Sequence, residues 1–138
     1  MAMSNGSALA WTLAVVLIAL NIAGYVFDLY SAFWWFDRIV HAATVFALTF
    51  WFTEIVLRDA IRGGRDVLFV VLVSSVGIAA GALWEVAEWA FDAFAPGDVI
   101  KGKNDTLIDV LMDTAGSVAA ALLANWHRTR RVRRAAAV

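Results

Sequence analysis

Four long apolar runs constrain this chain more than any other feature. Residues 8–27, 33–57, 67–91 and 105–126 are each mostly apolar, and about 20 such residues suffice to cross a hydrocarbon core of roughly 30 Å. In lipid every backbone polar group must be satisfied within its own segment, so each run is expected to be an α-helix. The polar connections 28–32, 58–66 and 92–104 are short enough to make two consecutive antiparallel hairpins. Gly63-Gly64 and Pro96-Gly97 are turn signals within them. Residues 1–7 form a polar lead and 127–138 a basic tail. The expected fold is an all-α, four-helix membrane bundle in a single domain over 1–138.

Composition closes off other classes. At 62% hydrophobic and a mean hydropathy of +0.75, the chain is too apolar for a soluble domain of this size. A net charge of −1 offers nothing for nucleic acid. The absence of cysteine removes disulfides, thiolate metal sites and cysteine nucleophiles. The first run lacks a basic flank and a cleavage site, so it reads as a retained span. Arginines concentrate after spans two (Arg58, Arg62, Arg65) and four (Arg128, Arg130, Arg131, Arg133, Arg134). The positive-inside rule therefore expects both termini in the cytoplasm. Trp34, Trp35 and Trp89 would then lie in the outer interfacial belt, with Trp11, Trp51 and Trp126 in the inner one.

This topology gathers scattered acids. Asp37 and His41 fall in the outer half of span two, Glu85 and Glu88 in that of span three, and Asp105, Asp109 and Asp113 in that of span four. With a rise of about 1.5 Å per residue, His41, Glu85 and Asp109 lie roughly 6–12 Å below the outer surface. Spacings of three and four keep each set on one helix face. The small residues Gly77, Ala80, Gly81, Gly116, Ser117, Ala119 and Ala120 allow close helix packing and, on a free face, oligomer formation. An ionisable residue deep in a span costs about 2.5–3.5 kcal/mol, so His41, Glu85, Asp109 and Asp113 together cost on the order of 10 kcal/mol. Carboxylates crowded together also repel one another.

The cations available to offset this are Arg38, protonated His41, Lys101, Lys103 or a bound metal. A divalent metal is the simplest answer, since carboxylates and imidazole on adjacent helices are a known way to hold one. Asp37, His41, Glu85, Glu88, Asp109 and Asp113 are the expected ligands, with Asn21, Arg38, Asn104 and Asp105 in support. Oxygen-rich ligation suits Mg, Mn, Fe or Ca, with Zn also compatible. If the site is catalytic, His41 or Glu88 would act as base toward metal-activated water in hydrolysis or transfer on a lipid-linked envelope substrate.

Plainer readings stand beside this one. The cluster can be a hydrogen-bonded network that pins helix register, or a binding site for a lipid or drug in a non-enzymatic accessory protein. Asn21 fits an interhelical hydrogen bond. Glu54 is expected to pair with Arg58 as an ordinary surface pair, Asp92 and Asp98 to be solvated, and the arginine tail to meet lipid headgroups. Tryptophan and phenylalanine stripes are expected to face lipid or its interface. With Glu54, Ser74 and Ser75 as the polar residues of the inner half, a continuous ion or proton path is disfavoured. Thr106 and Ser117 have no triad partners.

Three motifs carry a family resemblance. They are Asp37-Arg38-Ile39-Val40-His41, then Trp84-Glu85-Val86-Ala87-Glu88-Trp89, then Asn104-Asp105 leading to Asp109, Asp113 and Gly116. In order and spacing the chain resembles the VanZ-like and YjdF-like small bacterial membrane proteins over roughly residues 36–123, and Trp89 after the acidic pair leans toward the YjdF-like side. The resemblance implies a bacterial inner-membrane protein. Through the association of VanZ with teicoplanin resistance, it also implies a role at the cell envelope.

Overall fold

Three of the four apolar runs form helices that wrap their polar faces around one another, while the first stays largely in contact with its surroundings. The structure, a computed structural model, describes residues 5–57, 66–94 and 99–135. Arg58, Arg62, Arg65, Asp98 and the turns at Gly63-Gly64 and Pro96-Gly97 lie outside the described residues.

Helix α1 (Asn5–Val26) is apolar on every side and buries only Gly6, Ser7, Ala10 and Gly24, the pattern of a helix bathed in lipid. It stops where Asp28 adopts a left-handed backbone (φ 54°), and the Asp28 carboxylate accepts the Ser31 hydroxyl at 2.8 Å. One turn, α2 (Leu29–Ala32), leads into α3 (Phe36–Trp51). Helices α4 (Asp66–Phe94) and α5 (Lys103–Ala135) complete the set. Four helical stretches, Asn5–Val26, Phe36–Val56, Asp66–Phe94 and Lys103–Arg134, are long and apolar enough to cross a membrane, as expected.

Helix α5 packs against both α3 and α4, and α1 docks on α3. Toward the end of the bundle that carries the C-terminal tail, Ala10, Phe50, Phe69, Val73, Ala120, Ala121 and Ala124 form a dry core. Closer to the α2 end, glycines replace side chains. Gly116 lies so near the Ala42 carbonyl that a Cβ has no space. Gly77 leaves room for the Thr49 and Ser117 hydroxyls, 3.4 Å apart.

At the tail end, two sequence expectations need correction. The second span continues past Trp51, as the run 33–57 leads one to expect, but as a π-helical turn, Phe52–Val56, with the Leu57 N–H donating to the Phe52 carbonyl five residues back at 3.1 Å. Glu54, expected at the surface, is fully buried and pairs with Arg131 at 2.5 Å. The wider turn carries Glu54 inward, and Gly6 makes space for its carboxylate beside His127. Residues 127–135 accordingly continue α5 as helix, and their arginines do more than meet headgroups. Arg128 pairs with Asp66 and stacks on the Phe69 ring, while Arg130 covers Trp126. Removing the partner of a buried charge strands it. Arg131→Ala is therefore expected to lower unfolding stability by about 3 kcal/mol, discounted to the low end of such effects for the partial exposure of the guanidinium. Arg134→Ala, at an exposed position, should stay within about 0.5 kcal/mol in the same denaturant titration.

Candidate functional site

Near the α2 end, α3, α4 and α5 each bring acids to a common volume. Asp37 lies in the first turn of α3 and His41 one turn later. His41, Glu85, Asp109 and Asp113 are all buried, Asp113 to 1% exposure. The imidazole is the hub. Its Nδ1 lies 3.3 Å from Asp113 Oδ1 and 3.6 Å from Glu85 Oε1. Its Nε2 lies 3.7 Å from Asp37 Oδ1 and 4.0 Å from Glu88 Oε1. Gly81, one turn before Glu85, is what admits Asp113, because a Cβ there would come within 2.5 Å of its Oδ2.

The ligand-capable atoms sort into two groups, each with its members within 4.8 Å of one another: His41, Glu85 and Asp113, fully buried, and Asp37, Asp105 and Asp109, shallower. Asp105, expected only in support, thus stands with two expected ligands. Glu88 lies outside both groups, its Oε1 accepting the Trp84 indole N–H at 2.7 Å. Asn104 is exposed in the first turn of α5. Arg38 approaches Asp105 at 3.6 Å and donates to the Trp34 carbonyl while lying over that ring. Lys101 reaches Asp37 at 3.8 Å.

Asn21 turns away from the acids. Its amide donates to the Leu17 carbonyl at 2.9 Å and to the Thr44 hydroxyl at 3.4 Å, and its oxygen accepts the Tyr30 phenol at 3.0 Å. It ties α1 to α2 and α3, the interhelical role the sequence suggests. Burial, then the neighbouring Tyr25, Asp37 and Glu88, push the Tyr30 phenol up to about 12, so it stays protonated and donating at physiological pH.

The charges do not balance. Among the described residues six carboxylates (Asp37, Glu85, Glu88, Asp105, Asp109, Asp113) meet one imidazole and the basic groups of Arg38 and Lys101. Glu85 Oε1, Asp109 Oδ1 and both oxygens of Asp113 are buried without a hydrogen-bond partner among the described residues. Buried polar atoms are nearly always satisfied, so four such acceptors, two of them sharing one imidazole nitrogen at 3.3 and 3.6 Å, make a place suited to a cation. Oxygens with one imidazole nitrogen form a donor set that fits a hard or borderline divalent ion.

Sequence reasoning missed the Trp84–Glu88 bond, although the i,i+4 spacing that permits it is legible. It also missed the buried hydroxyls of Thr49 and Thr53. Thr53 donates to the Thr49 carbonyl, a back-bond common within helices. Asp92, expected to be solvated, instead accepts the backbone N–H groups of Val99 and Ile100 at 3.0 and 2.8 Å, fixing the chain that enters α5.

No curated protein and no solved structure matches the chain. A family model described as a predicted membrane protein (DUF2238) matches residues 2–130, the stretch that holds all four apolar helices and the acid cluster. The chain therefore belongs to this family of membrane proteins.

Proposed function

We propose that the cluster at the α2 end holds a divalent cation within the membrane and serves to bind or process a lipid-linked cell-envelope substrate. The observation that carries this reading is Asp113: 1% exposed, with neither oxygen hydrogen-bonded among the described residues, it faces His41 and sits beside Glu85. A carboxylate in that state is expensive in a membrane interior, and the one imidazole it faces is shared with Glu85, so further positive charge is what its surroundings lack.

His41, Glu85 and Asp113 would hold the ion most deeply, with Asp37, Asp105 and Asp109 forming the shallower group. Bound there, a divalent ion supplies Lewis acidity and a lowered pKa for coordinated water. The protein's own part is orientation and proton handling. With Nδ1 of His41 turned to the ion, its Nε2–H would be shared by the facing Asp37 and Glu88 carboxylates. Glu88, its carboxylate fixed by the Trp84 indole, would be the group that takes a proton from a nucleophile. With both termini in the cytoplasm, the orientation favoured by the arginines, the site faces outward from a bacterial inner membrane. The three acid-bearing motifs support kinship with the YjdF-like and VanZ-like proteins and so a role at the envelope.

Metal content measured by mass spectrometry on detergent-purified protein tests the reading. At least one ion per chain is expected, lost in both His41→Ala and Asp109→Asn while helicity is kept. No ion after purification without chelators, and none after addition of Mg, Mn, Fe or Zn, overturns it. The cluster would then be a protonated structural network or a metal-free lipid-binding site.

A further inference from the structure

Beside the cluster, between α4 and the start of α5, lies an open groove of about 390 Å³, within the size range of ligand pockets. Its walls are apolar: Val86 and Trp89 from α4 and Leu107 from α5, all largely exposed. One lining residue is Glu85, the acid that joins His41 and Asp113 in the buried group. Lys103 and Thr106, in the first turn of α5, also line it. Among the described residues Lys103 has no carboxylate partner, although acids crowd the neighbouring helix faces.

We infer that this groove admits a phosphorylated lipid sideways from the bilayer, its chain lying on Val86, Trp89 and Leu107 and its phosphate meeting Lys103 next to the acid cluster. The inference rests on the proposed cation site and supplies its substrate class. Two features argue for it. An almost wholly apolar trough bordered by Glu85 is of use to a ligand with a long apolar part, since a water-soluble one gains nothing from Val86 and Leu107. Lys103, in the lining and without a carboxylate partner among the described residues, gives the anionic head group of such a ligand a cation to meet. Interfacial tryptophan suits the depth at which a phosphate meets its chain.

Native mass spectrometry on the detergent-solubilised full chain tests this, with dioleoyl phosphatidic acid, dioleoylglycerol and inorganic phosphate as probes. The phosphatidic acid is expected to be retained at least tenfold more tightly than the neutral diacylglycerol. Lys103→Gln should remove most of that preference, and Leu107→Trp, which fills the groove, should weaken both lipids. Leu83→Trp, on an exposed part of α4 outside the lining, should change neither. Inorganic phosphate should not compete. Equal retention by Leu107→Trp and the unmodified chain, indifference to the phosphate, or full competition by inorganic phosphate overturns the groove. Metal content measured on the same samples separates the two readings. Lipid binding that responds to Lys103 and Leu107 without bound metal upholds the groove and removes the cation. Bound metal with lipid retention blind to both positions does the reverse.

Discussion

Gly116→Ala is expected to cost the bundle about 3 kcal/mol, at the upper end of what one extra methyl group does in a packed interior. The reason is the neighbour it meets. A Cβ at Gly116 runs into the Ala42 carbonyl, which is backbone and cannot rotate away as a side-chain tip would. The helices α3 and α5 would have to separate, and that contact sets the distance between His41, the residue before Ala42, and Asp113, one turn before Gly116. Loss of stability and loss of divalent-ion binding should therefore arrive together, read by denaturant unfolding in mixed micelles and by ion titration. Substituting Leu111→Ala on the exposed face of the same helix should leave both within about 0.5 kcal/mol of the unmodified chain.

Asp113→Asn should split those two properties. The carboxylate is buried among other acids, accepts no hydrogen bond among the described residues and shares its one facing imidazole with Glu85, so in the ion-free protein it is a net penalty that an isosteric neutral amide relieves. Stability measured in chelator is expected to rise by about 1–2 kcal/mol. Affinity for a divalent ion should fall by more than about 100-fold, beyond the range seen when only a supporting residue of a metal site is changed. A register-pinning network makes the contrary prediction, because Asp113 would then contribute to stability and its replacement would cost it. The opposite signs make this substitution the sharpest divider between a binding site and structural glue, since sites often carry local instability that function requires.

What the sequence could reveal follows from how far apart the cooperating residues are. The spans are legible because apolar length is a local property, and the acids because they break apolar runs at spacings of three and four. Their convergence is legible too, since a membrane fixes depth and hairpins fix which ends meet. Glu54 was not legible. Its burial depends on a π-helical turn that no residue pattern in 52–56 announces, and its partner Arg131 is 77 positions away. The arginine tail likewise reads as a charge signal until Asp66 and Glu54 are seen waiting for it. Within the cluster, composition named the candidate ligands but could not divide them. The grouping of Asp105 with Asp37 and Asp109, and the setting aside of Glu88, come from helix rotation and from the indole of Trp84. Family membership adds the membrane setting over residues 2–130 and leaves the chemistry to the site itself.

The most direct test of the cation site is electron paramagnetic resonance of Mn²⁺ added to the protein in lipid nanodiscs, with histidine labelled with ¹⁵N. The chain holds two histidines, of which His41 lies in the cluster and His127 beside Glu54 at the other end. The account predicts hyperfine coupling to one imidazole nitrogen, abolished by His41→Ala and unchanged by His127→Ala. Mn²⁺ that remains fully hydrated at stoichiometric loading, or nitrogen coupling that survives His41→Ala, would contradict it.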